Sequence, residues 1–312
     1  MSNNAVILVT GADLAAEAMA LLDDYQVVFA GGKPSEEDLV ALCQRHNPVG
    51  IIVRYGRINA RIMDAAPGLK VISKHGSGID IIDQAAAAAR QIEVKSAPGA
   101  NAAAVAEHTW AMILACAKSV LPLDSRLRQG HWDKARHKSL ELEGRTLGLV
   151  GLGAIGRRVA DVGQAFGMRV LAYDPYAGAF PAGCQPVDDV QQLYARSDVV
   201  SLHCPLTEQN ARMINDEALS CFKKGAILVN TARGGLIDDD ALLRALDNGT
   251  LRWAGLDSFT VEPLSAPHPW QHIDNVIISP HIGGVSDHSY IKMGVTAAEN
   301  VLKVVEKQDV VS

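Results

Sequence analysis

Aromatic residues are scarce in this chain of 312 residues: Phe, Trp and Tyr together make up 5%. Any core it forms must therefore be aliphatic. Clustered basic charge is also missing. There are 29 Lys and Arg against 35 Asp and Glu, a net charge of −6, so a phosphate backbone would meet no patch of counter-charge and nucleic-acid binding is not expected. The nearest thing to a basic run, Lys134 to Lys138, follows Asp133 and reads as a solvated loop. The five cysteines (Cys43, Cys116, Cys184, Cys204, Cys221) form no CxxC pair. Such a dispersed, odd set predicts reduced thiols in a cytoplasmic chain. No Cys/His set has zinc spacing, and Pro267 and Pro269 spoil a helix that would carry His268 and His272, so no metal is expected. The opening Met-Ser-Asn-Asn lacks the basic end and long apolar stretch of a signal peptide. The most apolar helical segment, 102–121, is interrupted by Glu107, His108 and Lys118 and predicts no membrane span.

What is present is a folded composition, 48% hydrophobic and 21% charged, which excludes general disorder. The length suits roughly two domains of about 150 residues. Short β-branched runs (5–10, 25–30, 49–54, 70–75, 92–97) alternate with helical stretches near 13–22, 35–46, 59–65 and 82–90. This alternation predicts a parallel sheet covered on both faces. A long Ala-rich helix follows over 101–121. Residues 122–144, with Pro122, Gly130 and mixed charge, read as a connector. A second series of strands is predicted at 146–150, 169–173, 198–203, 226–231, 253–258 and 276–280, and the tail from about 285 is again helical. The fold class expected is α/β, with two Rossmann-like lobes.

The strand at 146–150 runs directly into Gly151-Leu-Gly153-Ala154-Ile155-Gly156 and then into a helix-like stretch. In that context the GxGxxG rhythm reads as a phosphate cradle. The first glycine makes the tight turn, the second lets backbone approach a pyrophosphate, and the third lets helix pack on strand. The helix N-terminus supplies free N–H groups and a positive dipole end. The next strand ends at Asp174, near the offset of about 20 residues at which an acid meets the adenosine ribose. A carboxylate there accepts from the 2′-hydroxyl and repels a 2′-phosphate. Pro175 and Tyr176 follow with no arginine, so NAD is expected over NADP.

Three later strands end in polar groups that a core would not select: Asn230-Thr-Ala-Arg233-Gly-Gly; Gly255-Leu-Asp257, with Glu262-Pro263 beyond it; and Ser279-Pro-His281-Ile-Gly-Gly284. Ligands of open α/β sheets sit at the carboxyl ends of strands. Arg233, Asp257, Glu262 and His281 are accordingly expected around one crevice.

These motifs, with HGSGID (75–80) and VAEHTWAMILA (105–115), resemble the D-isomer-specific 2-hydroxyacid dehydrogenases, the 3-phosphoglycerate and glycerate dehydrogenase-like branch in particular. The resemblance covers nearly the whole chain and is weakest over the first 50 residues or so. It implies a flavodoxin-like substrate lobe from 1–100 and 285–312, a dinucleotide-binding Rossmann lobe from 101–284, and an active-site cleft between them. No C-terminal regulatory domain is expected after Ser312.

The chemistry so implied is NAD-dependent exchange between a short D-2-hydroxy acid and its 2-oxo acid, of glycerate/hydroxypyruvate, glyoxylate or 3-phosphoglycerate type. Arg233 would grip a carboxylate or carbonyl with its planar fork. His281 would be the acid–base group, and Glu262 would orient it and favour its charged form. The cofactor contacts implied are Gly151, Gly153, Ala154, Ile155, Gly156, Asp174, Cys204, Pro205, Thr109, Thr231, Ala232, Asp257 and Gly284. The substrate contacts implied are Arg54, Ser77, Gly78, Asn101, Arg233 and His281. Arg54 matches a position where the branch binds an anionic tail, although Tyr55-Gly56 departs from its Ser-Ala. Asn101 is equally readable as a helix N-cap. The helix 102–121 is a candidate homodimer face, and His137 and Lys138 in the connector after it would reach a neighbour. Glu262 stands where the resemblance to formate dehydrogenases would call for a Gln–His pair, which argues against that branch. An NAD(H)-sensing corepressor of the same fold is the alternative.

Overall fold

The computed structural model describes residues 5–309. The first four and last three residues of the expected split lobe lie outside that range. The chain divides into two compact units, one formed by residues through Asn101 together with those from Val285 onward, the other by Ala102–Gly284.

In the first unit β1 (Val6–Val9), α1 (Ala16–Leu21), β2 (Gln26–Phe29), α2 (Glu36–His46), β3 (Gly50–Val53), α3 (Ala60–Asp64), β4 (Val71–Lys74), α4 (Gln84–Ala89) and β5 (Glu93–Lys95) alternate strictly. The five strands are all parallel, in the order β2-β1-β3-β4-β5. Each element is built from local signals. Helix α2 starts at Ser35, whose hydroxyl accepts the Asp38 amide while Asp38 accepts the Ser35 amide in return, a reciprocal cap. It stops at Asn47, in the left-handed conformation that asparagine tolerates. Successive residues of β1 face opposite cores. Leu8 joins Ile51, Val53 and Ile72, whereas Ile7 and Val9 join Ile52 and the apolar face of the helix that closes this unit.

The second unit opens with α5 (Ala102–Lys118) and α6 (Val120–Arg128). It continues with β6 (Thr146–Val150), α7 (Ala154–Ala165), β7 (Arg169–Tyr173), β8 (Cys184–Pro186), α8 (Val190–Arg196), β9 (Val199–Leu202), α9 (Asp216–Ser220), β10 (Ala226–Asn230), α10 (Asp239–Asp247), β11 (Leu251–Leu256) and β12 (Val276–Ile278). Its seven-stranded parallel sheet runs β12-β11-β10-β9-β6-β7-β8, a doubly wound order that reverses between β6 and β9. Ile227 and Val229 point into one core, Ala226 and Leu228 into the other. The first unit is completed by α11 (Asp287–Asp309).

Three expectations require correction. The single helix over 101–121 is two helices, because Ser119 adopts a left-handed φ of 53° and breaks the axis between α5 and α6. The first part of the stretch read as connector is helical, since Pro122 falls in the first turn of α6, where a missing N–H costs nothing. The apolar side of α5 is also not an open face. Val105, Ala106, Trp110, Met112, Ile113 and Cys116 are buried, most of them in the core of their own unit. The exposed apolar side chains lie farther on, at Val120, Leu121, Leu127 and Trp132. The elements not placed in the sequence reading are β8, a short polar edge strand ending in proline, and the helices α8, α9 and α10.

Candidate active site

The glycine turn sits at the carboxyl end of β6, where the strand order reverses. Gly151 has φ +97°, and a Cβ there would lie 2.7 Å from the Cys204 nitrogen, so the turn presses on the end of β9. A Cβ on Gly156 would fall 2.3 Å from the Gly151 carbonyl oxygen. Gly153 differs: nothing lies within 4 Å of its would-be Cβ. It is the N-cap of α7 and makes no side-chain cap bond, so the first amides of that helix, at Ala154, Ile155 and Gly156, have no cap side chain as acceptor. An uncapped helix start behind an open, Cβ-free approach is a cradle for an anion.

Asp174, at the end of β7, accepts from the Leu152 amide at 2.8 Å and the Tyr176 amide at 2.9 Å. Its carboxylate thus ties the glycine turn to the neighbouring loop. Cys204 and Pro205 follow β9. Burial pushes the Cys204 thiol up to about 11, which makes it a poor nucleophile. Asn210, unnoticed in the sequence, braces this stretch by donating to the Pro205 carbonyl at 2.7 Å and accepting the Thr207 amide at 2.7 Å. An adenosine diphosphate-type group therefore finds amides, an open glycine and a ribose acid together, and these residues fit NAD.

On the adjoining strands the buried Asn230 folds its own turn, donating to the Arg233 carbonyl at 2.9 Å and accepting the Ala232 amide at 3.0 Å. Thr109 on α5 gives its hydroxyl hydrogen to the Val105 carbonyl at 2.8 Å, so in the 2.8 Å contact between Thr109 and Thr231 the donor is Thr231. Arg233 is half-buried, with Nη1 on the Ala232 carbonyl. A Cβ on Gly234 would lie 2.0 Å from the Phe259 carbonyl carbon, so the Arg233 turn rests on the backbone of the loop that carries Glu262.

Glu262 and His281 form a 2.8 Å pair between Oε2 and Nδ1, and Glu262 Oε1 accepts the Phe259 amide at 2.9 Å. A carboxylate only accepts, so Nδ1 carries the hydrogen and Nε2 is left for exchange. Burial raises the Glu262 pKa, but the bonds from His281 and Phe259 and the charges of His281 and Arg233 outweigh it, and the carboxyl titrates below its ordinary value. His281 has φ 52°, a conformation costing a non-glycine residue about 1–2 kcal/mol.

That conformation is held by Asp257, which is 1% exposed. Its Oδ1 accepts from Ser279 Oγ at 2.6 Å and the Ile282 amide at 2.9 Å, and its Oδ2 from the Gly283 amide at 2.8 Å. Gly284, next along, is half-buried. The sequence expects Asp257 to face a nicotinamide; its oxygens also gather the loop that bears His281. Ser279 and His108 belong to the same group of side chains and were passed over in the sequence.

In the first unit Arg54 follows β3. Its Nη1 donates to the Asp13 carbonyl at 2.7 Å and to the Asp13 carboxylate, and its guanidinium lies over the Tyr55 and Tyr290 rings at 5.4 and 5.1 Å. Tyr290 also donates to Asp13 at 3.0 Å. Gly11 leaves the space, since a Cβ there would meet the Arg54 stem at 2.9 Å. Asp13 and Tyr290 carried no signal in the sequence. Ser77 Oγ lies 3.3 Å from the Ala97 carbonyl and 3.2 Å from Asn101 Oδ1, and Gly78 follows it in the same turn. Among the described residues no group of three or more His, Cys, Asp or Glu could hold a metal ion, and no helix is long and apolar enough to cross a membrane.

Residues 110–283 match the model of the family described as "D-isomer specific 2-hydroxyacid dehydrogenase, NAD binding domain". The chain is 39% identical to a D-3-phosphoglycerate dehydrogenase of Methanocaldococcus jannaschii over 303 residues, 96% of this chain and 57% of that protein. It is 41% identical to a hydroxypyruvate reductase of Thermotoga maritima over 291 residues, 92% of this chain and 94% of that protein. Among solved structures, the TT0316 protein of Thermus thermophilus superposes with a TM-score of 0.90 at 38% identity, covering 97% of both chains. The chain spans little more than half the length of several curated relatives. The match extends over more than half of the residues and takes in both the glycine cradle and the loops of Arg233, Glu262 and His281; the chain belongs to the D-isomer specific 2-hydroxyacid dehydrogenase family.

Proposed function

We propose that the protein is an NAD-dependent oxidoreductase that interconverts a short D-2-hydroxy acid and its 2-oxo acid, of glycerate/hydroxypyruvate, glyoxylate or 3-phosphoglycerate type. The observation that carries the reading is the Glu262–His281 pair beside Arg233, built on the same sheet as the glycine cradle. NAD bound at Gly151–Gly156 supplies the hydride exchange at substrate C2. The chain's own residues do the rest. Arg233 offers a planar, permanently charged fork to the substrate's carboxylate and carbonyl oxygens. His281 Nε2 gives a proton to the C2 oxygen in reduction and takes it back in oxidation, while Glu262 holds Nδ1 and stabilises the charged ring. Asp174 favours NAD over NADP by accepting from a ribose hydroxyl. Thr109, Thr231, Ala232, Cys204, Pro205, Asp257 and Gly284 complete the cofactor's surroundings. Arg54, Ser77, Gly78 and Asn101 are assigned to the substrate.

A homodimer is the proposed assembly, joined through the exposed apolar side chains around α6. Five unpaired cysteines support a cytoplasmic, reducing setting. The NAD(H)-sensing alternative is not favoured, since the relatives carry the names of dehydrogenases and reductases.

The deciding assay follows NADH oxidation with glyoxylate, hydroxypyruvate, pyruvate and phosphohydroxypyruvate. Turnover with at least one is expected. Tight NADH binding with no turnover on any would overturn the enzymatic reading.

A further inference from the structure

The loop from Ser279 to Gly283 is held from beneath by one buried carboxylate, and that carboxylate has a neighbour on a different element. His108, on α5, places Nε2 2.9 Å from Ser279 Oγ and 3.4 Å from Asp257 Oδ1. Proton bookkeeping fixes the direction of the chain. Ser279 has a single hydroxyl hydrogen and spends it on Asp257 at 2.6 Å. Toward His108 it can only accept, so His108 Nε2 must carry a hydrogen. The order is His108 Nε2–H to Ser279 O–H to Asp257 Oδ1, and Asp257 in turn collects the amides of Ile282 and Gly283. His281 lies between the hydroxyl and these amides, its own amide closing a turn on the Ser279 carbonyl at 3.0 Å. The loop also passes close to the ring: a Cβ on Gly283 would come 2.8 Å from Asp257 Oδ2 and 3.1 Å from His108 Cδ2, so only a glycine fits between them. Neighbouring α5 residues Val105, Ala106 and Thr109 are buried. The ring therefore stands on a fixed platform, whereas the loop above it contains a residue at positive φ.

We propose that His108 is a positioning residue for His281. Its Nε2–H orients the Ser279 hydroxyl onto Asp257, and Asp257, so oriented, holds the Ile282 and Gly283 amides that keep His281 in its left-handed conformation facing Glu262. The proposal rests on the acid–base reading of His281. It adds a residue from a helix on which the sequence reading singles out only Thr109 as a cofactor contact.

The test compares His108→Leu, which removes the donor, with His108→Gln, whose amide NH2 can take the place of Nε2–H. The intact protein is measured for kcat and KM with NADH and its best 2-oxo acid, and for amide hydrogen exchange over 279–284. In His108→Leu, kcat is expected to fall about tenfold, a loss of about 1.4 kcal/mol in transition-state stabilisation, with KM for NADH within twofold of wild type. Exchange at Ile282 and Gly283 is expected to quicken about tenfold. His108→Gln should recover most of both. Ser279→Ala, which breaks the chain at its middle, should reproduce the Leu phenotype and decides the question if the Leu variant does not fold. The proposal is overturned if His108→Leu keeps wild-type kcat and exchange, if Gln loses as much as Leu, or if KM for NADH rises while kcat holds. Should the wild type reduce no oxo acid, the functional reading falls, and the exchange measurement still decides whether His108 holds the loop.

Discussion

Glu262 and His281, 19 residues apart in the chain, meet at 2.8 Å through Oε2 and Nδ1, and the remaining Glu262 oxygen is fixed by the Phe259 amide. A neutral amide at 262 keeps the shape but replaces the carboxylate acceptor that fixes the hydrogen on Nδ1 and leaves Nε2 for exchange. Glu262→Gln should therefore lower kcat by about 10²-fold or more while NADH binding stays within about twofold of wild type. Steady-state rates and NADH titrations of the two proteins settle it: an unchanged kcat would refute the pairing.

The glycines of the cradle should separate into two kinds. Gly153 has φ −74° and open space at its missing Cβ, so Gly153→Ala should melt within a degree or two of wild type yet bind NADH at least about tenfold more weakly, because the methyl occupies the approach that backbone offers a phosphate. Gly156→Ala drives a methyl into the Gly151 carbonyl and should lower stability by about 1–3 kcal/mol. Calorimetric melting with NADH titration distinguishes the two. Equal melting losses would contradict the assignment of Gly153.

Asp174→Ala should increase the use of NADPH relative to NADH by about tenfold or more, since a carboxylate that repels a 2′-phosphate has gone. The measurement is the ratio of kcat/KM for the two cofactors. A wild type that already prefers NADPH would reverse the ribose argument.

Arg54 spends one nitrogen on Asp13, and hydrogen bonds from Tyr290 and from Arg54 hold the Asp13 carboxyl below its ordinary pKa. An ionised Asp13 offsets Arg54 and opposes a phosphorylated tail. Asp13→Asn should therefore raise kcat/KM for phosphohydroxypyruvate relative to hydroxypyruvate by about tenfold. An unchanged ratio would remove Arg54 from the substrate's surroundings.

His75 provides a stability test independent of turnover. It is 8% exposed, its Nε2 has no hydrogen-bond partner, and burial, followed by the charges of Arg54 and Lys74, pushes its pKa down from 6.5 to about 4. The unfolded chain thus takes up a proton that the folded chain refuses. The contribution to stability is complete above pH 6.5 and is lost as pH falls from 6.5 toward 4, at about 1.4 kcal/mol per pH unit. Urea midpoints of wild type and His75→Phe between about pH 7.5 and pH 5 should show a shallower decline in the variant, which keeps a ring against Tyr290. Parallel declines would exclude His75 as a source of acid sensitivity.

The sheets were readable because strands buried on both faces must be short aliphatic runs, such as Ile227 to Val229 or Ile7 to Val9, bounded by turn residues. β8 lacked that signature, being a polar edge ending in Pro186. α6 was misread because Pro122 looks like a breaker until its place in a first turn is known. The cradle and the loops of Arg233, Glu262 and His281 stand out because each is a contiguous motif at a strand end. His108, Asp13 and Tyr290 do not, because their meaning depends on partners elsewhere in the chain: His108 on Ser279, and Asp13 on a tyrosine 277 residues away. Nothing local announces such a pair.

Helix α11 shares a core with the earliest strand, since Ala297, Ala298 and Val301 pack with Ile7 and Val9, and a Cβ on Gly50 of β3 would strike Val301 at 2.7 Å. During synthesis, the sheet made from residues through Asn101 therefore emerges with one face covered only in part, by Ala18 and Leu22 in and beside α1, and the 102–284 unit is complete before the helix that finishes that face has been translated. The earliest sheet to be made is thus the last to be sealed. A chaperone-dependent interval, if the cell provides one, belongs to the N-terminal strands rather than to the nucleotide-binding unit.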